Sequence, residues 1–335
     1  MFQFEKISNE LLRRIECPGT EKHYKVTLCN GLPKFTPEVL KDNSSRFSVM
    51  IETFLPIAER IKKMEVFKDD VWVITFPKCG TTWTQEMVWL LNNEMNFERA
   101  RKLSLEERFP FVELTGALSL IGGDSVSDIV RLPKPRHIKS HLPVMLLPDQ
   151  IWTVKPKIIY VSRNTKDAAT SFYHHYCNIV GYDGPKEHFY EAFLSDNLIY
   201  APFSEHVLDY WKLRNEDNVL FITYEQMKRN LRQVILTVSS FLEKSYNDQE
   251  IDALVGHLSV DSMRANKSCN MDALVEWARN TNYSDARKKN DSNEFRFIRS
   301  GKVGSYRDEM NQEYVTRFDD YERKMTIGYS FDFNF

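Results

Sequence analysis

Three short runs of uninterrupted apolar, largely β-branched residues punctuate the chain: Val71–Phe76 (VWVITF), Ile158–Ser162 (IIYVS) and Val219–Tyr224 (VLFITY). Such runs lack the polar alternation of a half-exposed strand and are expected of strands buried on both faces of a parallel sheet. Each is followed by helical periodicity. Thr81–Asn92 sets Trp83, Met87, Leu90 and Leu91 on one stripe, and a second helix is expected from about Asp167 to Cys177. A third, Glu225–Leu242, carries Met227, Leu231, Val234, Ile235, Val238 and Leu242 on one face.

This alternation predicts an α/β fold, a single domain over residues 1–335 with a central parallel β-sheet flanked by helices. Ligands of such sheets bind beyond the carboxyl ends of the strands, so the turns after Phe76, Ser162 and Tyr224 should converge on one site. No internal repeat or Pro/Gly-rich linker divides the chain. Residues 266–294 turn polar with little periodicity and read as a mobile surface segment or lid.

Composition narrows the ligand and the compartment. Hydrophobic residues make up 42% and charged residues 27%, ordinary globular values. A formal net charge of −2 removes any composition-level case for nucleic acid, so an anionic ligand needs locally placed cations. Met1–Arg14 is broken by Glu5, Lys6 and Glu10 and does not read as a secretory signal. No stretch approaches the roughly 20 apolar residues of a membrane span. Five widely separated cysteines suit a reducing compartment, and the expectation is a cytoplasmic protein. The eight histidines form no metal-ligand spacing with them, so no metal is expected.

Between the first strand and its helix lies Thr75-Phe-Pro-Lys-Cys-Gly-Thr-Thr-Trp83. Gly80 permits close backbone approach, Thr81 and Thr82 open the helix with hydroxyl donors, and Lys78 supplies full charge. The helix N-terminus favours a phosphate there. The plainer alternative is a tight turn beside a solvated lysine. The usual nucleotide loop, GxxxxGK[ST], sets its lysine after the second glycine and is not matched. A P-loop kinase therefore lacks its lysine register and its acidic magnesium ligands, while a non-catalytic binder of adenylates or hydrophobic ligands stays open.

At these residues the sequence resembles the cytosolic sulfotransferase family, whose 5′-phosphosulfate loop looks like [TF][YF]PK[SC]GTTW. The resemblance covers most of the chain. It implies a P-loop-like turn that binds 3′-phosphoadenosine 5′-phosphosulfate (PAPS), and sulfuryl transfer to the hydroxyl of a small apolar acceptor such as a phenol, steroid, retinoid or other alcohol. Lys78 would stabilise the leaving phosphate, with Cys79, Gly80, Thr81, Thr82 and Trp83 completing the loop. Arg136-His-Ile-Lys-Ser-His-Leu-Pro143 is similar to the family's RxxKTHLP segment and implies His141 as general base and Lys139 as its assistant. Strand parity alone leaves His137 on the same side as both.

Tyr160-Val-Ser-Arg-Asn-Thr-Lys-Asp167 with Ser171 resembles the 3′-phosphate block, with Arg163 as anchor and Ser171 contacting both phosphate and Lys78. Asn164, Lys166 and Asp167 fit better as caps and pairs of the following helix. Arg299-Ser300-Gly301 looks like the family's RKG segment but replaces its lysine by Ser300, with Lys302 and Arg296 nearby. Leu258-Ser-Val-Asp-Ser-Met263 keeps Ser259 and Met263 of the adenine contact and replaces its aromatic by Val260. Trp83 and Tyr224 would hold adenine, and Phe54 and Phe111 would line the acceptor pocket; all four are equally at home in a core. Residues 1–45 fall on the acceptor side. The family's KxxxTVxxxE dimer motif is not kept at Arg307–Thr316, so the resemblance leaves a homodimer possible but does not imply that route to it.

Overall fold

A computed structural model of the chain describes residues 1–17, 22–41, 46–118, 122–280 and 295–331. Two sheets organise it. β1 (Phe2–Lys6), β2 (His23–Leu28) and β3 (Phe47–Ile51) form an antiparallel sheet in that order. β4 (Val71–Thr75), β5 (His137–Ser140), β6 (Lys157–Ser162) and β7 (Val219–Thr223) form a parallel sheet in the order β5-β4-β6-β7.

The parallel strands are buried on both faces, as their continuous apolar runs require. Trp72, Ile74, Ile138, Ile158 and Tyr160 enter one core, while Val71, Val73, Ile159, Val161 and Ile222 enter the other. Register aligns Ile74 with Ser140 on one side and with Tyr160 on the other, so the strands end together. The loops leaving them are therefore delivered to one edge.

The first helix runs Thr81–Asn92, but it is buried on nearly every side rather than along one stripe. Its inward Glu86 is neutralised by Arg108 at 2.7 Å, with both side chains fully buried. The second expected helix runs Thr165–His175 and passes into a π-turn at Tyr176–Val180. The third is not continuous: Tyr224–Arg229 and Leu231–Phe241 are separate helices. Asn230 leaves helical geometry, and its side chain accepts from the Gln233 N–H, so a cap overrides the shared apolar periodicity.

The polar stretch after Asn266 also departs from expectation. Asp272–Asn280 is a helix, and Val275 and Ala278 on it are buried. The rest of the proposed lid, 281–294, lies outside the described residues. Among the described residues no helix is long and apolar enough to cross a membrane.

Candidate active site

The first turn of the Thr81–Asn92 helix, the ends of β4, β5 and β6, and the segment 297–301 surround one cavity of about 830 Å³. Lys78, Lys139, Arg163 and Arg299 all line it. These cations press on one another. Burial, then the charges of Lys139, Arg163 and Arg299, lower the Lys78 amine to about 7. Gathering these cations at one cavity is costly unless an anion joins them, which suits the site to phosphate or sulfate groups.

Local backbone geometry sets the loop. Gly80 has φ +105 and caps the helix, and a Cβ there would lie 2.9 Å from the Tyr224 ring. Lys78 itself is left-handed at φ 67, a costly conformation for a residue with a side chain. Its ammonium stands 3.5 Å from the Phe297 ring centroid, and its carbonyl accepts from Arg163 Nη1 at 3.1 Å. Arg163 Nη2 reaches the Lys302 carbonyl at 3.2 Å, while its buried Nε has no hydrogen-bond partner in the described structure. That unsatisfied donor suits a bound oxyanion.

Asp167 holds the facing loop. Its carboxylate accepts from the Gly304 and Tyr306 N–H groups at 2.6 and 3.0 Å, and from the Ser305 hydroxyl at 3.2 Å. Arg299 Nη1 is bound by Glu309 at 2.7 Å. Against the opposing effect of burial, His174, Arg299 and Lys186 hold Glu309 down to about 2, so it stays ionised. Arg264 Nε donates to the Ile298 carbonyl at 3.0 Å and fixes the chain just before Arg299.

His141 follows β5 directly. Its Nδ1 lies 2.8 Å from the Thr75 carbonyl, which can only accept, so Nδ1 carries the proton and Nε2 keeps its lone pair. Thr75 Oγ1 is 2.7 Å from Thr81 Oγ1, tying the end of β4 to the phosphate turn. Burial and the Lys139 charge push the imidazole well below 6.5, which keeps it neutral. The ring sits edge-on to Phe111 and Tyr200, with centroids 5.1 and 5.6 Å away. Its main chain is anchored from below: His206 Nε2 donates to the His141 carbonyl at 2.9 Å, and Tyr210 donates to the Leu142 carbonyl at 2.9 Å.

Ser171, Gly80, Thr81, Thr82, Trp83, Tyr224, Met263, Ser300, Gly301 and Phe111 also line the cavity. Trp83 Nε1 donates to the Leu258 carbonyl at 2.9 Å, and its ring meets Tyr224 edge-on at 5.6 Å. Val260 lines the wall where an aromatic was expected and packs against Gly301, where a Cβ would come within 2.6 Å of its Cγ2. Three expected residues are elsewhere. Cys79 is buried away from the cavity, with its thiol pushed up chiefly by burial. Ser259 caps the Val260–Ala265 helix by accepting from the Ser262 N–H at 3.2 Å. Phe54 is fully buried, its Cα 3.0 Å from where a Gly116 Cβ would stand, so it supports the wall from behind. None of the described residues before Pro77 lines the cavity.

His137 is also placed. It is buried against Phe109 at 5.3 Å, and its Nε2 lies 3.0 Å from Asn92 Nδ2, at the opposite end of β5 from the cavity. Sequence reasoning missed Glu113, Asp167's role as a loop clamp, and Trp277. Glu113 accepts from the main chain of His141, and Trp277 roofs the cavity from the Asp272–Asn280 helix. An acid directly after the apolar Phe109–Val112 run was the one available signal for Glu113.

Residues 68–328 match the family model described as a sulfotransferase domain, and the chain belongs to the sulfotransferase family. Luciferin sulfotransferase of Photinus pyralis is 37% identical over 293 residues, covering 83% of this chain and 77% of that protein. An amine sulfotransferase of Oryctolagus cuniculus is 34% identical over 267 residues, covering 79% of this chain and 83% of that protein. Among solved structures, retinol dehydratase in complex with androsterone and PAP superposes with a TM-score of 0.81 at 22% identity, covering 99% of this chain and 98% of that one. That likeness speaks to the fold.

Proposed function

We propose that this chain transfers the sulfuryl group of PAPS to the hydroxyl of a small, largely apolar acceptor, with His141 as general base. The observation that carries the reading is the tautomer of His141: Nδ1 is committed to the Thr75 carbonyl, leaving a neutral Nε2 as acceptor at a cavity crowded with cations. The donor fits these residues. Lys78 and the helix N-terminus suit its 5′ end, and the partnerless Nε of buried Arg163, with Arg299, suits its 3′-phosphate. Solved relatives of this fold are complexed with PAP, in one case beside androsterone and in another beside retinol.

When bound, the donor supplies an electrophilic sulfur with a phosphate leaving group. Neutral Nε2 of His141 takes the acceptor's proton as the new S–O bond forms. Lys78, protonated by the anion's arrival, offsets the charge that grows on the departing phosphate. Lys139, 4.1 Å from the Phe111 centroid, lends positive charge beside the same site. Ser171 lines the cavity beside these cations and is assigned to restrain Lys78. Phe111, Leu114, Leu118, Phe172, Tyr176 and Trp277 form an apolar wall that excludes water and accepts a ring or hydrocarbon.

Incubation with 35S-labelled PAPS and a panel of phenols, steroids, retinoids and simple alcohols tests the reading directly. Label should move to at least one apolar hydroxyl compound without added metal. Donor binding with no transfer to any of them would leave the chain an adenylate-binding protein.

A further inference from the structure

The segment that delivers Phe111 to the cavity runs beside β5. The Lys139 N–H donates to the Pro110 carbonyl at 2.9 Å, and the Val112 N–H donates back to the Lys139 carbonyl at 3.1 Å. This pairing leads straight into Glu113, a carboxyl with no exposed surface. One of its oxygens accepts from the main-chain N–H of His141, and the other accepts from the Ser140 hydroxyl at 3.0 Å. Ser140 Oγ in turn accepts from the Leu142 N–H at 3.0 Å. A single buried acid thus ties together the three residues that carry the imidazole.

We propose that Glu113 is a positioning residue for the transfer: its carboxylate locks the Ser140–Leu142 turn so that His141 faces the reacting groups, and its charge balances Lys139. The assignment rests on the sulfuryl-transfer reading above. Burying a carboxyl is costly unless its charge is used or its bonds are complete. Here burial lifts Glu113 to about 7, opposed by the bonds from His141 and Ser140 and by the Lys139 charge. The ionisable groups around it are Lys139 and His141 from the β5 end, Tyr200 from the loop after Leu198, and Tyr210 from the Phe203–Lys212 helix. Burial and then the Glu113 charge raise both phenols well above 10, so they stay neutral. Glu113 therefore titrates near neutrality beside phenols that stay uncharged. Its charge is present above about 7 and lost below.

Glu113→Gln keeps the shape and removes the charge. At saturating donor, where the bound anion keeps Lys78 protonated, we expect kcat to fall about 10- to 100-fold, with PAP affinity within about twofold of wild type. The acid limb of the wild-type kcat profile should flatten, because the variant resembles the protonated enzyme at every pH. A kcat within about twofold of wild type would overturn the proposal. So would an equal loss at every pH with the limb intact, the mark of a merely structural role. Should the variant bind no PAP, Ser140→Ala decides: it removes one arm, and a kcat loss of about threefold or more with PAP affinity kept supports the assignment, while no loss overturns it. Wild-type turnover in the same assay separates failure of this assignment from failure of the transfer reading.

Discussion

The Nδ1 atom of His141 lies 2.8 Å from the carbonyl of Thr75, a bond between the end of one sheet strand and the residue following its neighbour. This contact does two things at once. It fixes the tautomer, and through the Thr75–Thr81 hydroxyl pair it couples the base to the turn that holds Lys78.

Lys78 should be a liability to the free protein. It is half-buried at a cavity it shares with three other cations, and burial together with their charges lowers its amine to about 7, so the charged form is disfavoured. Lys78→Met is expected to raise Tm of the ligand-free protein while lowering kcat roughly 10²- to 10³-fold. A thermal melt and a turnover assay on the same preparation check both halves.

The same depression gives donor binding a pH dependence. Above about 7 the free amine is largely neutral, and a bound polyanion favours its protonated form. Binding must then take up a proton, and affinity should weaken as pH rises from about 7 to 9, by at most about tenfold per unit. Titration calorimetry of PAP in two buffers of different ionisation enthalpy measures the uptake. At pH 6, where the amine is already charged, the uptake at this group should vanish.

Asp167 is expected to govern donor affinity without touching the donor. Its carboxylate takes three hydrogen bonds from Gly304, Ser305 and Tyr306. Asp167→Ala leaves those donors unmet and frees the loop whose Lys302 carbonyl steadies Arg163. PAP affinity should fall about tenfold or more, with kcat at saturation much less affected. Equilibrium binding alongside saturation kinetics distinguishes the two.

Gly80→Ala should abolish donor binding more completely than any side-chain truncation in the loop. The position has φ +105, and the new methyl would stand 2.9 Å from the Tyr224 ring. Backbone strain alone costs on the order of 1 kcal/mol or more, and the Tyr224 ring would have to shift to admit the methyl. Loss of PAP binding in a variant that still melts cooperatively would bear this out.

Much of this site was readable in the residues because its logic is local. A parallel strand buried on both faces reads as an apolar run, a left-handed helix cap favours glycine, and a phosphate site calls for a cation, so Val71–Trp83 stood out. The β5 histidines were harder, since parity sets His137 and His141 alike; the resemblance to the family segment favoured His141, and the end of the strand at which the loops gather separates the two. Asn230 divides one apolar stripe into two helices because a side-chain cap competes with periodicity, and both outcomes share the same pattern. The helix Asp272–Asn280 stayed hidden in a polar stretch, because its Val275 and Ala278 are buried by packing into the core shared with Tyr176–Val180, a long-range contact that the local pattern does not carry. Glu113 illustrates the remaining limit: a carboxyl that works through another residue's main chain leaves no spacing signature.

His141→Ala tests the central claim most directly, with transfer of 35S from PAPS to the best wild-type acceptor as the measurement. The account predicts a rate lower by about 10² to 10⁴ with PAP affinity nearly unchanged. Equal label transfer by wild type and variant would contradict it.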